Sequence, residues 1–393
     1  MNLDFLYGFL NLSFWGYVAA TLIMMQISIF GVTVYLHRDA AHRSLDLHPA
    51  IRHFFRLWIW MSSSMLTKEW VSVHRKHHAK CETAEDPHSP VIFGLKKVLS
   101  QGAELYQVQA RNQETLDKYG RGCPDDWVER NVYSKYRNAG VISMALIDIF
   151  LFGVPSILIF AIQMLTFPVL AAGVINGLGH YFGYRNFECP DASTNVMPFG
   201  FFIGGEELHN NHHAFPSSAK FSIQPWEFDP GWAFISICKF FGLAKVHRTA
   251  PKPVKVEGKH VDLETVRAVI VNRMHVVRDY TRNVMLPVCR AELAIAGDKL
   301  GEGVRKLLVR ESSLLDENAK GRLAKSLAQS KALHTVHEFR TRLQLLWNSN
   351  MSNESLLQHL KEWIAQAEAS GIKCLQDFAA TLRSYSMPAM AIA

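Results

Sequence analysis

A chain of 393 residues, 49% of them hydrophobic, is long enough for one large domain or two ordinary ones. Its formal net charge of +7 is moderate. The six cysteines, at 81, 123, 189, 238, 289 and 374, show neither CxxC pairing nor iron–sulfur spacing, which excludes a disulfide scaffold and a ferredoxin-type protein and suits thiols in a reducing compartment.

From Phe14 to Leu36 no charged residue occurs, a run long enough to cross the hydrocarbon core as a helix. A signal peptide is not expected, because Lys and Arg are missing ahead of the run and no small-residue cleavage site follows it. Asn2 to Leu12 reads as an interfacial stretch. Ile51 to Met65 is apolar but short and carries Arg52, His53 and Arg56, which suits an amphipathic segment in the interface, with snorkelling cations and Trp58 and Trp60 at headgroup level. Trp232 to Leu243 reads the same way, with Lys239 on its polar side. Ser143 to Tyr184, broken near Thr166-Phe167-Pro168, is long enough for a hairpin of two spans. Asp148 then falls near the cytoplasmic end of its span, at the interface or capping a helix start.

The first 36 residues hold one Asp and no Lys or Arg, whereas 37–140 is rich in both signs with bases in excess. By the positive-inside rule the N-terminus lies outside, and the 37–140 loop and everything after the hairpin lie in the cytoplasm. Beyond the Pro-Lys-Pro at 251–253, stretches 261–285, 320–347 and 353–385 carry apolar residues at helical spacing with charged faces. The expected fold is an all-α integral membrane protein of three, or four, transmembrane helices plus interfacial helices, with a membrane domain over 1–250 and a cytoplasmic helical region over 251–393.

Three histidine clusters fall on one side of this topology: HRDAAH (His37, His42), HRKHH (His74, His77, His78) and HNNHH (His209, His212, His213). Residues at i, i+3 and i+4 share one helix face, so each triple can present three imidazoles together. At this histidine content an HxxHH pattern is expected by chance roughly 0.04 times per chain; its double occurrence points to metal. Eight histidines are too many for one tetrahedral zinc site. His180 and Asn176, four residues apart at the end of the last span, share a face and stand as further candidates, Asn176 directly or through a metal-bound water. His48, His53, His88, His247, His260, His275, His334, His337 and His359 read as ordinary histidines.

The quoted boxes, with EWVSVHRKHH at 69–78, DPHSP at 86–90, NGLGHYFGYR at 176–185 and GGEELHNNHHAFP at 204–216, resemble the membrane fatty acid desaturases of the stearoyl-CoA (delta-9) type over about residues 14 to 250. The resemblance implies a cytoplasmic helical cap with two irons on nine histidines, here His37, His42, His74, His77, His78, His180, His209, His212 and His213, and Asn176 reaching iron through water. It implies dioxygen as co-substrate and a saturated acyl chain, as acyl-CoA or acyl lipid, held in a kinked apolar tunnel. A basic surface would meet the carrier's phosphates, and Arg75, Lys76 and Lys80 lie near enough in sequence to contribute. Animal members of the family have two spans before the first box; this chain has room for one, and such a short architecture resembles bacterial members of the inner membrane. No haem or ferredoxin motif is present, so electrons are expected from a separate NAD(P)H-linked reductase. A membrane hydroxylase of lipids or alkanes is the nearest alternative, and a histidine-rich metal transporter or sensor is the alternative from another class.

Overall fold

The uncharged run beginning at Phe14 folds as one helix, α1 (Phe14–Ala41), its first turn capped by the Ser13 hydroxyl, which accepts from the Gly16 amide. The computed structural model describes residues 4–296 and 303–388. It divides into two units, Met1–Arg185 with Asp191–Ala250, and Asn186–Pro190 with Pro251–Ala393.

From Gly31 onward the turns of α1 widen to π-type, and the His42 amide donates to the His37 carbonyl at 3.0 Å. Strand β1 (Leu45–Leu47) follows and pairs antiparallel with β2 (Ala244–Val246). Helix α2 (Pro49–Ser63) is amphipathic, with Phe54 and Leu57 exposed and Phe55, Ile59 and Trp60 buried. Its cations and indoles do not sit as the sequence suggests. Arg56 is buried and paired with Asp126 at 2.6 Å and Glu129 at 2.9 Å. Trp60 packs on Tyr133, and the Trp58 indole donates to Ser28 Oγ at 2.9 Å. Helices α3 (Thr67–Lys80) and α4 (Leu95–Ala110) complete the segment before the hairpin.

The hairpin consists of α5 (Ala139–Phe152) and α6 (Ser156–Leu178). Among the described residues two helices, α1 and α6, are long and apolar enough to cross a membrane; α5, at 14 residues, is shorter. The turn falls at Gly153, φ +62°, followed by Pro155, not at 166–168. Helix α6 continues past Pro168 because its turns widen there to π-type over Phe167–Ile175; the ring would clash in a regular α-helix. The earlier turn moves Asp148 as well: it lies nearer the Gly153 turn than the Ala139 end, 1% exposed, and neither carboxylate oxygen has a hydrogen-bond partner among the described residues. Asn2 and Leu3 lie outside the described residues. The rest of the N-terminal stretch docks on the hairpin turn, with the Val154 amide donating to the Leu6 carbonyl at 2.7 Å and the Phe9 amide to the Phe150 carbonyl at 2.9 Å. One end of these three helices thus holds the chain start and the hairpin turn; the other holds the histidines. Ile142, Leu146, Ile149, Ile157, Leu158 and Leu165 face outward as an apolar belt, as lipid contact requires. Helix α8, counted after α7 (His209–Ala214), spans Pro230–Phe240 and leaves Ile237 and Phe240 exposed, with Phe241 just beyond it.

Beneath the histidines lies a buried ion pair. Arg38, fully buried, meets Asp229 at 2.9 Å, donates to the Ala219 carbonyl at 3.1 Å and lies 3.8 Å over the Phe221 ring. Asp229 also caps α8 through the Trp232 amide and accepts from the Phe221 amide at 2.7 Å.

The second unit is built of helices and one short strand pair, Val254–Lys255 with Tyr385–Ser386. Its core centres on Trp363, whose indole donates to the Phe339 carbonyl at 2.8 Å, and on Tyr280, whose hydroxyl donates to the Val336 carbonyl at 2.7 Å.

Removing one partner of a buried pair leaves an uncompensated charge costing about 3–5 kcal/mol. Asp229→Ala should lower the apparent Tm of the purified protein by on the order of 10 °C, and adding Arg38→Met should restore part of the loss. Differential scanning in detergent measures both.

Candidate metal centre

Four segments deliver nine imidazoles to one place. On α1, π-type turns bring i and i+5 together, and the His37 and His42 rings lie 5.0 Å apart. His74, His77 and His78 project from one face of α3, and His209, His212 and His213 from α7. His180 follows the end of α6. His37, His42, His74, His78 and His212 form one group whose ligand atoms all lie within 4.8 Å of one another; His77, His180 and His213 form a second, joined by the Cys81 sulfur. His209 completes the second group, its Nε2 3.0 Å from that of His180.

Carboxylates fix the tautomers. A carboxylate only accepts, so the Nδ1 hydrogen of each paired ring points to it and the Nε2 lone pair faces away. His37 pairs with Glu206 at 2.7 Å, His77 with Asp86 at 3.1 Å, His213 with Asp191 at 3.1 Å and His180 with Glu82 at 3.3 Å. Burial alone would raise Glu206, Asp86 and Asp191, but the facing imidazoles overrule it and hold all three low. Burial pushes His42, His74, His78, His209 and His212 well below the usual histidine value, and His180 down to about 4. Neutral imidazole is the form that ligates metal.

The donor set fits a cation. The Nε2 atom of His212 lies 3.0 Å from that of His37 and 2.9 Å from that of His78, and those of His42 and His74 are 2.8 Å apart. The Nε2 lone pair of His37, whose hydrogen is held outward by Glu206, faces this cluster, and a cation placed there would meet several imidazole nitrogens at once. Nitrogens so spaced, each about 2.1 Å from a common ion, would subtend about 90° there. His209 Nδ1, His212 Nδ1 and His213 Nε2 are buried without a hydrogen-bond partner among the described residues. Imidazole sets of this kind suit iron, zinc or copper.

A cavity of about 540 Å³ reaches the centre. Asn176 lines it together with His37, His74, His77 and His209; its apolar wall includes Val73, Met164, Phe167, Ala171 and Ile175. Arg75, Lys76 and Lys80 are committed elsewhere. Arg75 donates to the carbonyls of Ala40, Ala41, Tyr119 and Arg121, Lys76 to Gln109 and Thr115, and Lys80 to Glu85.

A family model described as fatty acid desaturase matches residues 12–226. The chain belongs to the fatty acid desaturase family. It is 31% identical over 242 residues to Delta-9 acyl-lipid desaturase 1 of Arabidopsis thaliana, covering 58% of this chain and 74% of that one. To the sn-1 stearoyl-lipid 9-desaturase of Anabaena variabilis it is 27% identical, covering 64% and 92%. To Acyl-CoA 5-desaturase AL21 of Anemone leveillei it is 29% identical, covering 55% and 66%. A model described as transposase matches residues 264–392, within the helical second unit. The desaturase is therefore an oxidoreductase of lipid metabolism, with membrane helices and histidine clusters able to bind metal.

Sequence reasoning set aside His88 and did not assign the four carboxylates. His88 is 4% exposed, its ring centroid lies 4.5 Å from that of His77, it lines the cavity, and neither ring nitrogen has a hydrogen-bond partner among the described residues. The DPHSP box that carries both Asp86 and His88 is the signal that could have placed them.

Carboxylates behind ligating histidines typically contribute 10–100-fold in metal affinity. Glu206→Gln or Asp86→Asn should weaken metal retention of the desaturase by about that factor, read as metal content after dialysis against a graded chelator. Because unfolding frees histidines of ordinary value 6.5 while folded His180 stays near 4, the unfolded chain binds more protons between those values. The stability of the metal-free protein should fall as pH drops from about 6.5 to 4, in urea titrations at stepped pH.

Proposed function

We propose that this desaturase introduces a cis double bond at the delta-9 position of a long saturated acyl chain carried by coenzyme A, at a two-iron centre. The nine histidines would be the ligands, and Asn176 would reach one metal through water. The observation that carries the reading is the convergence of nine imidazoles, with His37, His77, His180, His209 and His212 buried, beside a largely apolar cavity. Iron bound there would supply the oxidising chemistry: dioxygen, two electrons and two protons from outside and two hydrogens from the acyl chain would give the double bond and two waters.

The rest of the work falls to the chain's own residues. The apolar wall from Val73 to Ile175 excludes water and holds the methylenes against the histidine face. Glu206, Asp86, Glu82 and Asp191 keep their imidazoles oriented, with the hydrogen at Nδ1. Gln107, Arg111, Arg137 and Asn138 are exposed and also line the cavity, so they form its mouth, where the Arg111 guanidinium suits an anionic carrier while Arg137 is paired with Glu69. This favours a thioester with phosphates; the names of several relatives favour an acyl lipid as the second reading. Electrons would come from a separate NAD(P)H-linked reductase. The site would face the cytoplasm across a bacterial inner membrane, with 251–393 as a separate cytoplasmic helical domain.

Expression in a desaturase-deficient bacterium grown with air should produce new monounsaturated acids, and His77→Ala should abolish them without loss of membrane insertion. Gas chromatography of total fatty acids reads both. A hydroxylated product in place of an alkene would favour the hydroxylase.

A further inference from the structure

The cavity has a polar pocket just inside its mouth. Tyr106 precedes Gln107 of the mouth, yet its hydroxyl is wholly buried and has no hydrogen-bond partner among the described residues. Ser62 is likewise buried, lines the same cavity and leaves its Oγ unpartnered. The end of α2 and the start of α5 touch there: a Cβ on Gly140 would lie 2.4 Å from the Trp60 carbonyl oxygen. Ser62 therefore belongs to the same end of the cavity as Arg137 and Asn138.

The charges beside the phenol are already satisfied. Arg137, which lines the cavity together with Tyr106, grips Glu69 through two bonds, of 2.7 and 2.5 Å. What is left at this end is two neutral donors in need of an acceptor. A buried hydroxyl with no partner is destabilising, a cost removed if a ligand's oxygen completes the bond.

We propose that the Tyr106 hydroxyl, assisted by Ser62, takes the carbonyl oxygen of the acyl ester or thioester and so sets which carbons reach the histidines. The proposal rests on the acyl-desaturation reading and adds a positioning subsite to it. Helix α3 supplies the ruler. Glu69 stands in its first turn, its partner Arg137 lines the same cavity as Tyr106, and His77 follows eight residues later. That is a rise of about 12 Å, close to the span of about nine carbon–carbon bonds in an extended chain. A carbonyl held at Tyr106 thus brings the ninth and tenth carbons to the imidazoles.

The test uses the purified full-length chain and four ligands: stearoyl-CoA, its carbonyl-free thioether S-octadecyl-CoA, a stearoyl ester lipid and the matching octadecyl ether lipid. Tyr106→Phe should weaken binding of a carbonyl ligand about tenfold and leave its carbonyl-free counterpart unchanged. The pair that shows this difference identifies the carrier. Ser62→Ala should show the same selectivity at about threefold, and decides the matter if Tyr106→Phe does not fold. In turnover with stearoyl-CoA, Tyr106→Phe should spread the double bond over neighbouring positions. Equal weakening of both members of a pair, or no weakening of either, overturns the subsite. A wild-type protein that binds with this selectivity but forms no double bond sinks the desaturation reading and leaves the subsite standing.

Discussion

Nine imidazoles in contact are tolerable only if nearly all stay neutral and their lone pairs have a cation to face. Burial penalises the charge of a protonated ring, and a second protonated ring beside it would repel it. A neutral ring carries one hydrogen, so the side on which that hydrogen sits decides whether a lone pair or a donor points inward. The four carboxylates make that choice for His37, His77, His180 and His213. They come from the turn after α3, from the DPHSP box, from the stretch after α6 and from the turn before α7, so tautomer control ties together the same segments that deliver the rings.

This explains what the sequence could and could not disclose. The two HxxHH triples were legible because helical periodicity alone brings their rings together. HRDAAH reads as a pair at a relaxing helix end; its i, i+5 spacing is met by the π-type turns of α1, closed by the bond from the His42 amide to the His37 carbonyl. Spacing could not assign the carboxylates, because Glu82 reaches His180 across 98 positions and Glu206 reaches His37 across a far longer gap. Arg56 fails for the same reason. Its place on an amphipathic helix suggests snorkelling, and only the fold supplies Asp126 and Glu129, some 70 positions away.

The hairpin shows local signals in competition. Pro168 and the Gly153-Val154-Pro155 stretch both interrupt an apolar run, and either can end a helix. Gly153 wins because its positive φ suits a turn and because the N-terminal stretch completes the turn's backbone bonds through Leu6. Those bonds join residues some 150 positions apart, beyond the reach of any local pattern.

Pro168 then serves the cavity instead of the turn. The widened stretch of α6 puts Phe167, Ala171 and Ile175 on the cavity wall while Leu165 and Val169 face outward. Helix α4 closes against this stretch at its narrowest residues: a Cβ on Gly102 would meet the Ala172 carbonyl oxygen at 2.6 Å. Such close backbone approach seals the side of the cavity without bulky side chains, leaving its interior for a ligand. One helix thus faces the membrane on one side and lines the cavity on the other, and the small residues at 102, 171 and 172 are what let a narrow apolar space persist between two helices that would otherwise pack it shut.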